Sequence, residues 1–359
     1  MNRVGLITFH DTLNYGSLLQ AYSLYKAIES LNYDITLIDY KCSSIGIRES
    51  TYKWSDCLTW KDYIKSILYS KTLTRRKDNF WQFMNQNMKV SEAFTRENIG
   101  QANELFEIFM VGSDIVWGLE ITKNDYTYML DFVNDKIRLA FSSSIGCKWE
   151  KNDEKDIQKY LSKFADITVR ERDAADWVEN LIHREIQVTC DPTMLWTADF
   201  WRSFTSIVYK PKKKYVIAYM STDDRKSVRD AICYGKKNKL SVYYISFGKI
   251  VPGVKTIRPE SFQEWLTLLA DAEVIFTASY HGLLFSLYFE KKFFYYNRGN
   301  RSRMVSLANE LDIHHREGTD NNIQLDRLID YSKVRKILDR KRNISWKRLT
   351  EMLKQFESH

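Results

Sequence analysis

A histidine stands where an apolar run gives way to a helical pattern. Val274-Ile275-Phe276-Thr277 leads into Ala278-Ser279-Tyr280-His281-Gly282-Leu283-Leu284-Phe285-Ser286, and a second apolar run, Phe293-Phe294-Tyr295-Tyr296, follows. The first N–H groups of a helix lack intrahelical partners and the helix dipole is positive there, so a strand-to-helix junction suits chemistry on an anion. An imidazole, ordinarily ionising near pH of about 6.5, can give or take a proton at such a place. Gly282 would let a ligand approach the backbone. The competing reading has His281 hydrogen-bonded to a neighbouring loop.

Arg170 closes the run Ile167-Thr168-Val169 just before a helical pattern from Glu171 to Ile182. A guanidinium at a strand end can grip a carboxylate or phosphate with two parallel hydrogen bonds, or can pair structurally with Glu171 or Asp191. Asp191 precedes Pro192 and suits a turn cap. Small polar residues also end other apolar runs: Gly112-Ser113-Asp114 after Phe109-Met110-Val111, and Ser142-Ser143-Ser144 after Leu139-Ala140-Phe141. Near the chain start, Asn14-Tyr15-Gly16-Ser17 stands between a strand and a helix where a dinucleotide fold would carry GxGxxG, and reads as a polar turn facing a substrate.

The elements that must hold these residues alternate. Val4 to Phe9 and Ile35 to Tyr40 have strand length, and Gly16 to Leu31 between them has apolar residues at helical spacing. That βαβ start predicts a parallel sheet with ligands beyond the carboxyl ends of its strands. Strands over 215–220, 242–247, 274–278 and 293–296 alternate with helices over 223–238, 261–270 and 283–290, which predicts a second parallel sheet. The fold class expected is therefore α/β, with an N-terminal parallel-sheet domain over 1–205 and a C-terminal parallel-sheet domain over 206–330 carrying the histidine. A helical insertion is expected over about 42–104, with helices near 60–70 and 75–88. In it Lys71, Arg75, Arg76 and Lys77 read as a solvated face. A basic helical tail over 331–359 completes the chain, in helices over about 324–340 and 344–357. Its stripe of Trp346, Leu349, Leu353 and Phe356 would dock on the N-terminal domain or meet a membrane.

Composition narrows the partners. The chain has 359 residues, 44% of them hydrophobic, and only 4 prolines and 13 glycines, which fits packed domains rather than linkers or low-complexity segments. A net charge of +8 favours acidic substrates, polyanions or anionic headgroups. No helix-turn-helix, zinc-finger or RNP-like pattern supports nucleic acid. Five cysteines without CxxC or zinc spacing read as reduced thiols of a cytoplasmic protein. The start MNRVGLITF has no signal-peptide pattern and no run reaches the ~20 apolar residues of a spanning helix, so the expected location is cytoplasmic or peripheral at the inner face of the cell membrane.

Several motifs in order resemble the polysaccharide pyruvyl transferase family: NYGSLLQAYSL from Asn14, VGSDIVWG from Val111, the YMLDFV and SSSIG pair, TVRERD around Arg170, CDPTMLW from Cys190 and SYHGLLFS around His281. The resemblance covers Gly5 to about Arg316. Tyr280 replaces a phenylalanine typical of the family, and Ile115 a glutamine. The resemblance implies two Rossmann-like domains facing across a cleft, as in GT-B glycosyltransferases. It implies transfer of the enolpyruvyl unit of phosphoenolpyruvate to a sugar hydroxyl, with closure of a cyclic pyruvate ketal. It implies His281 as the functional histidine, and donor binding by Arg170, Gly282 and a basic residue after the histidine strand, Arg301 or Arg303. Asn14, Tyr15, Gly16, Ser113 and Asp114 are the acceptor-side candidates. It implies neither a metal nor a cofactor beyond phosphoenolpyruvate as substrate. The acceptor expected is a sugar of a capsule, exopolysaccharide or cell-wall precursor, carried as a lipid-linked oligosaccharide. A GT-B glycosyltransferase using a nucleotide sugar and a non-catalytic carbohydrate-binding protein of the same fold are the alternatives.

Overall fold

The computed structural model describes residues 3–48, 60–205, 211, 213–220, 225–245, 251, 253–297, 303–318 and 328–356. The chain forms two compact units. One comprises 1–50, 80–196 and 338–359, the other 51–79 and 197–337.

In the first unit, strands β1 (Arg3–Ile7), β2 (Asp34–Tyr40), β3 (Val90–Phe94), β4 (Ile108–Val111), β5 (Ile137–Ser143), β6 (Asp166–Val169) and β7 (Gln187–Val188) form one sheet in the order β3-β2-β1-β4-β5-β6-β7. Its described pairings are parallel. The order reverses direction between β1 and β4, whose register pairs Ile7 with Val111. A crevice at the carboxyl ends of two such strands is where open α/β sheets hold ligands. The helix Tyr15–Ser30 follows β1 and is buried on nearly every side, Leu18, Leu19, Leu24 and Ile28 completely. Gly5 in β1 is required by packing, because a Cβ there would lie 2.7 Å from the Phe106 ring and 2.8 Å from Ile38.

In the second unit, β8 (Tyr215–Tyr219), β9 (Ser241–Ile245), β10 (Lys255–Ile257), β11 (Val274–Thr277) and β12 (Lys292–Tyr295) form a second sheet in the order β10-β9-β8-β11-β12, again with parallel pairings. The helices Lys226–Lys237, Phe262–Ala270 and Tyr280–Tyr288 connect its strands. Two strands, β3 and β10, lie where the sequence pattern announces none. Both are short edge strands, and hydrogen bonding to the neighbour rather than side-chain alternation defines them.

Two long helices belong to both units, which a linear division at residues 205 and 330 does not contain. Trp60–Asn87 is one helix, not two, since 71–74 contains no glycine or proline to break it. Its Arg76 is fully buried and donates Nε–H to the Pro259 carbonyl at 2.9 Å, so this member of the basic cluster is an anchor rather than part of a solvated face. Farther along, Phe80 and Met84 are buried in the first unit. Tyr331–Lys354 is likewise continuous. Its Tyr331 hydroxyl donates to the Lys291 carbonyl at 2.5 Å in the second unit. Beyond Leu338, Leu349, Met352 and Leu353 are buried in the first unit, Trp346 donates Nε1–H to the Leu195 carbonyl at 2.8 Å, and Arg342 donates Nε–H to that of Met194 at 3.1 Å. Among the described residues no helix is long and apolar enough to cross a membrane.

Candidate functional site

In the second unit the chain leaves β11 at Thr277 and starts a helix at Tyr280. Ser279 caps it: extended backbone places its hydroxyl to accept the Gly282 N–H at 3.3 Å, while the Ser279 N–H goes to Thr277 Oγ1 at 3.1 Å. His281 is the second helical residue and only 6% exposed. The Tyr280 ring stands edge-on to the imidazole with centroids 5.4 Å apart. The Arg303 guanidinium lies 5.9 Å from the centroid of the same Tyr280 ring. Of the two donor-side arginines, Arg303 is thus brought to the histidine motif, and Arg301 lies outside the described residues.

Gly282 serves another purpose than the one expected. A Cβ there would lie 2.2 Å from Thr277 Oγ1 and 2.9 Å from Tyr219 Cδ1, so the space beside it is occupied by the strands beneath. Its bare Cα lets the helix sit close on β8 and β11, and the opening for a ligand that the sequence suggested is filled.

In the first unit a polar network lines the crevice between β1 and β4. Thr8 Oγ1 donates to the Ser113 carbonyl at 2.9 Å, and Gln20 Nε2 lies 3.0 Å from Thr8 Oγ1, 3.2 Å from the Phe9 carbonyl and 3.0 Å from that of Ser17. The Ser17 hydroxyl donates to the Asp114 carboxylate, whose other oxygen accepts the Ile115 N–H at 2.9 Å. Asp114 has φ of +69° and Ser142 on β5 φ of +55°. Left-handed backbone in residues other than glycine costs energy and gathers at functional sites. Asn14 caps the Tyr15–Ser30 helix through the Gly16 N–H at 2.9 Å. The structure therefore brings Asn14, Gly16, Ser113 and Asp114 into one crevice. Tyr15 is not with them. It is fully buried, edge to face with Phe80 at 5.6 Å, because the helix rotates it into the core.

Arg170 takes the structural role that the sequence left open. Its Nη1 donates to Asp191 Oδ2 at 2.5 Å and its Nε to Glu171 Oε1 at 3.2 Å, with side chains 2%, 0% and 6% exposed. Glu171 Oε1 also accepts the Ser144 hydroxyl at 2.7 Å, and Asp191 Oδ1 accepts the Thr193 N–H at 3.0 Å and hydroxyl at 2.7 Å. These bonds tie the end of β6 to Asp191 after β7.

One cluster was missed from the sequence: His10, just past β1, stands 2.9 Å from Asp39 on β2, and Lys41 bridges Asp39 to Asp11 at 2.8 and 3.1 Å. The signal available was a histidine and an aspartate at the carboxyl ends of two adjacent strands.

Two parallel-sheet units, each with polar residues at carboxyl strand ends, define an α/β protein of GT-B-like fold. The UDP-GlcNAc 2-epimerase from Neisseria meningitidis bound to UDP-GlcNAc matches 99% of this chain with 100% of its own, at 9% identity and a TM-score of 0.51. The S. aureus MnaA–UDP structure matches 98% of this chain with 90% of its own, at 13% identity and a TM-score of 0.52. At these identities the likeness is one of fold. Residues 14–300 match the model of the polysaccharide pyruvyl transferase family, and the chain belongs to that family. No curated protein sequence matches it.

Proposed function

We propose that the protein transfers the enolpyruvyl unit of phosphoenolpyruvate to a sugar of a surface-polysaccharide or cell-wall precursor. A proton is added to the methylene carbon, the C2 centre takes on oxocarbenium character, and a sugar hydroxyl attacks it and loses its own proton. Phosphate leaves with the electrons of its C–O bond, and a neighbouring hydroxyl adds to C2 to close the ketal and yields the second proton. Sugar and phosphoenolpyruvate thus give ketal and inorganic phosphate, with atoms and charge in balance.

The observation that carries this reading is His281 in the first turn of its helix, with the Arg303 guanidinium over the adjoining Tyr280 ring. An imidazole supplies the proton or takes one from the hydroxyl, which is worth typically ~10²–10⁴ in rate. Arg303 and the helix N-terminus would meet the donor's carboxylate and phosphate. The reading assigns the first unit's crevice, with Asn14, Gly16, Ser113 and Asp114, to the acceptor. Exposed Lys336, Arg340 and Lys347 on the C-terminal helix favour an acceptor carried on a lipid diphosphate, with the protein peripheral to an anionic membrane face.

Phosphate release from phosphoenolpyruvate, measured against a panel of synthetic and lipid-linked glycosides, tests it. Ketal formation shows as a new methyl singlet in the proton spectrum of the product. Release of UDP from a UDP-sugar with the same acceptors, and none of phosphate from phosphoenolpyruvate, would replace this reading with nucleotide-sugar glycosyl transfer.

A further inference from the structure

Between β1 and the Tyr15–Ser30 helix the chain runs through Thr8-Phe9-His10-Asp11-Thr12-Leu13-Asn14. His10 is 1% exposed, and both ring nitrogens face oxygens that accept: Nδ1 lies 3.0 Å from the Thr8 carbonyl oxygen and Nε2 2.9 Å from Asp39 Oδ1. The carboxylate arrives from the adjacent strand β2. It is itself held, since its Oδ1 takes Lys41 Nζ at 2.8 Å and its backbone N–H donates to Ser91 Oγ on β3 at 3.0 Å. Lys41 turns back to Asp11 Oδ2 at 3.1 Å, and Trp81 donates Nε1–H to Asp11 Oδ1 at 3.3 Å. From the helix side, Gln20 reaches Thr8 and Phe9. The loop is thus gripped at Thr8 and Phe9 by the helix that follows it, at Thr8 also by the Ser113 carbonyl, and at His10 and Asp11 by Asp39 of β2, its continuation at Lys41, and Trp81.

Stability alone does not account for such a grip. Burying a histidine with a carboxylate carries a desolvation cost that offsets much of their attraction, and an apolar pair of similar volume commonly serves at least as well. What directional hydrogen bonds supply is placement. The segment they place delivers Asn14 and, one helical turn on, Ser17 with its bond to Asp114. Beside the loop lies a small pocket lined by Phe9, His10, Asp11, Tyr40, Cys42 and Tyr128.

We propose that His10, oriented by Asp39, is a positioning residue for sugar-acceptor binding. It holds the Thr8–Asn14 loop so that Asn14, and Ser17 against Asp114, keep the arrangement that meets acceptor hydroxyls. The inference takes its reaction from the pyruvyl-transfer reading and its geometry from the structure.

His10→Asn retains a donor near the Thr8 carbonyl and loses the reach to Asp39, whereas Asp39→Asn keeps the shape of the partner and removes its charge. The expected result for both is an acceptor Michaelis constant raised about tenfold or more, equivalent to ~1.4 kcal/mol of binding, with that for phosphoenolpyruvate within about twofold of wild type. Amide hydrogen exchange across residues 8–18 should accelerate in the same variants, while the rest of the first unit keeps its protection. His10→Gln, whose amide can span to Asp39, should recover part of the acceptor affinity. Unchanged exchange over residues 8–18 overturns the proposal, as does a rise of both Michaelis constants together. Should the wild-type protein release no phosphate with any glycoside, the pyruvyl-transfer reading fails, and exchange at residues 8–18 still decides the clamp.

Discussion

Arg170 and Asp191 form a buried ion pair, Nη1 to Oδ2 2.5 Å, in which neither side chain is more than 2% exposed. Glu171 takes the same guanidinium through Nε. Removing one partner of such a buried pair strands the other charge and typically costs about 3–5 kcal/mol. Arg170→Ala is accordingly expected to lower the denaturant midpoint strongly, and Arg170→Lys, a point charge without the fork, to lower it less. A variant of unchanged stability with a raised Michaelis constant for phosphoenolpyruvate would show instead that the guanidinium serves the donor.

His281 lies at a helix start that Ser279 caps through the Gly282 N–H, with the Ser279 N–H held by Thr277. His281→Ala should leave the thermal midpoint close to wild type while turnover falls at least ~10²-fold, the scale of a lost general acid or base. Near-normal turnover in the folded variant would remove the histidine from the mechanism.

Gly282→Ala puts a methyl group 2.2 Å from Thr277 Oγ1, an atom of the strand beneath. Overpacking of this kind costs typically ~1–3 kcal/mol. A lowered unfolding free energy is expected, with relief when Thr277→Ala, which removes the clashing oxygen, is added. If Gly282→Ala is as stable as wild type but has lost affinity for phosphoenolpyruvate, the glycine belongs to the ligand site after all.

The described cysteines divide by burial. Cys147 and Cys233 are exposed, Cys42 and Cys190 buried. Burial pushes the Cys190 thiol up to about 12 and raises that of Cys42 as well, so neither supplies thiolate at neutral pH. Alkylation of the native protein at pH 8, followed by peptide mapping, should modify Cys147 and Cys233 within minutes and reach Cys42 and Cys190 only in denaturant. Prompt native labelling of Cys190 would mean that the C-terminal helix, whose Ser345 hydroxyl accepts the Cys190 N–H at 2.9 Å, opens readily.

Periodicity and composition by themselves determined the α/β class, the two sets of alternating strands and helices, and the place of His281 at the turn from β11 into its helix, because each depends on residues within a few positions of one another. The motif order along the chain likewise sufficed for the family. Only the tertiary structure brought Arg170 to Asp191, 21 residues on, since a guanidinium at a strand end looks the same in sequence whatever carboxylate it meets. It also turned Tyr15 into the core, filled the space beside Gly282 with Thr277 and Tyr219, and set His10 against Asp39, 29 residues away. The long helices show the same limit: an apolar stripe announces that a face will be buried, and only the packed chain selects the surface that covers it, which for Trp346 is the turn at Leu195.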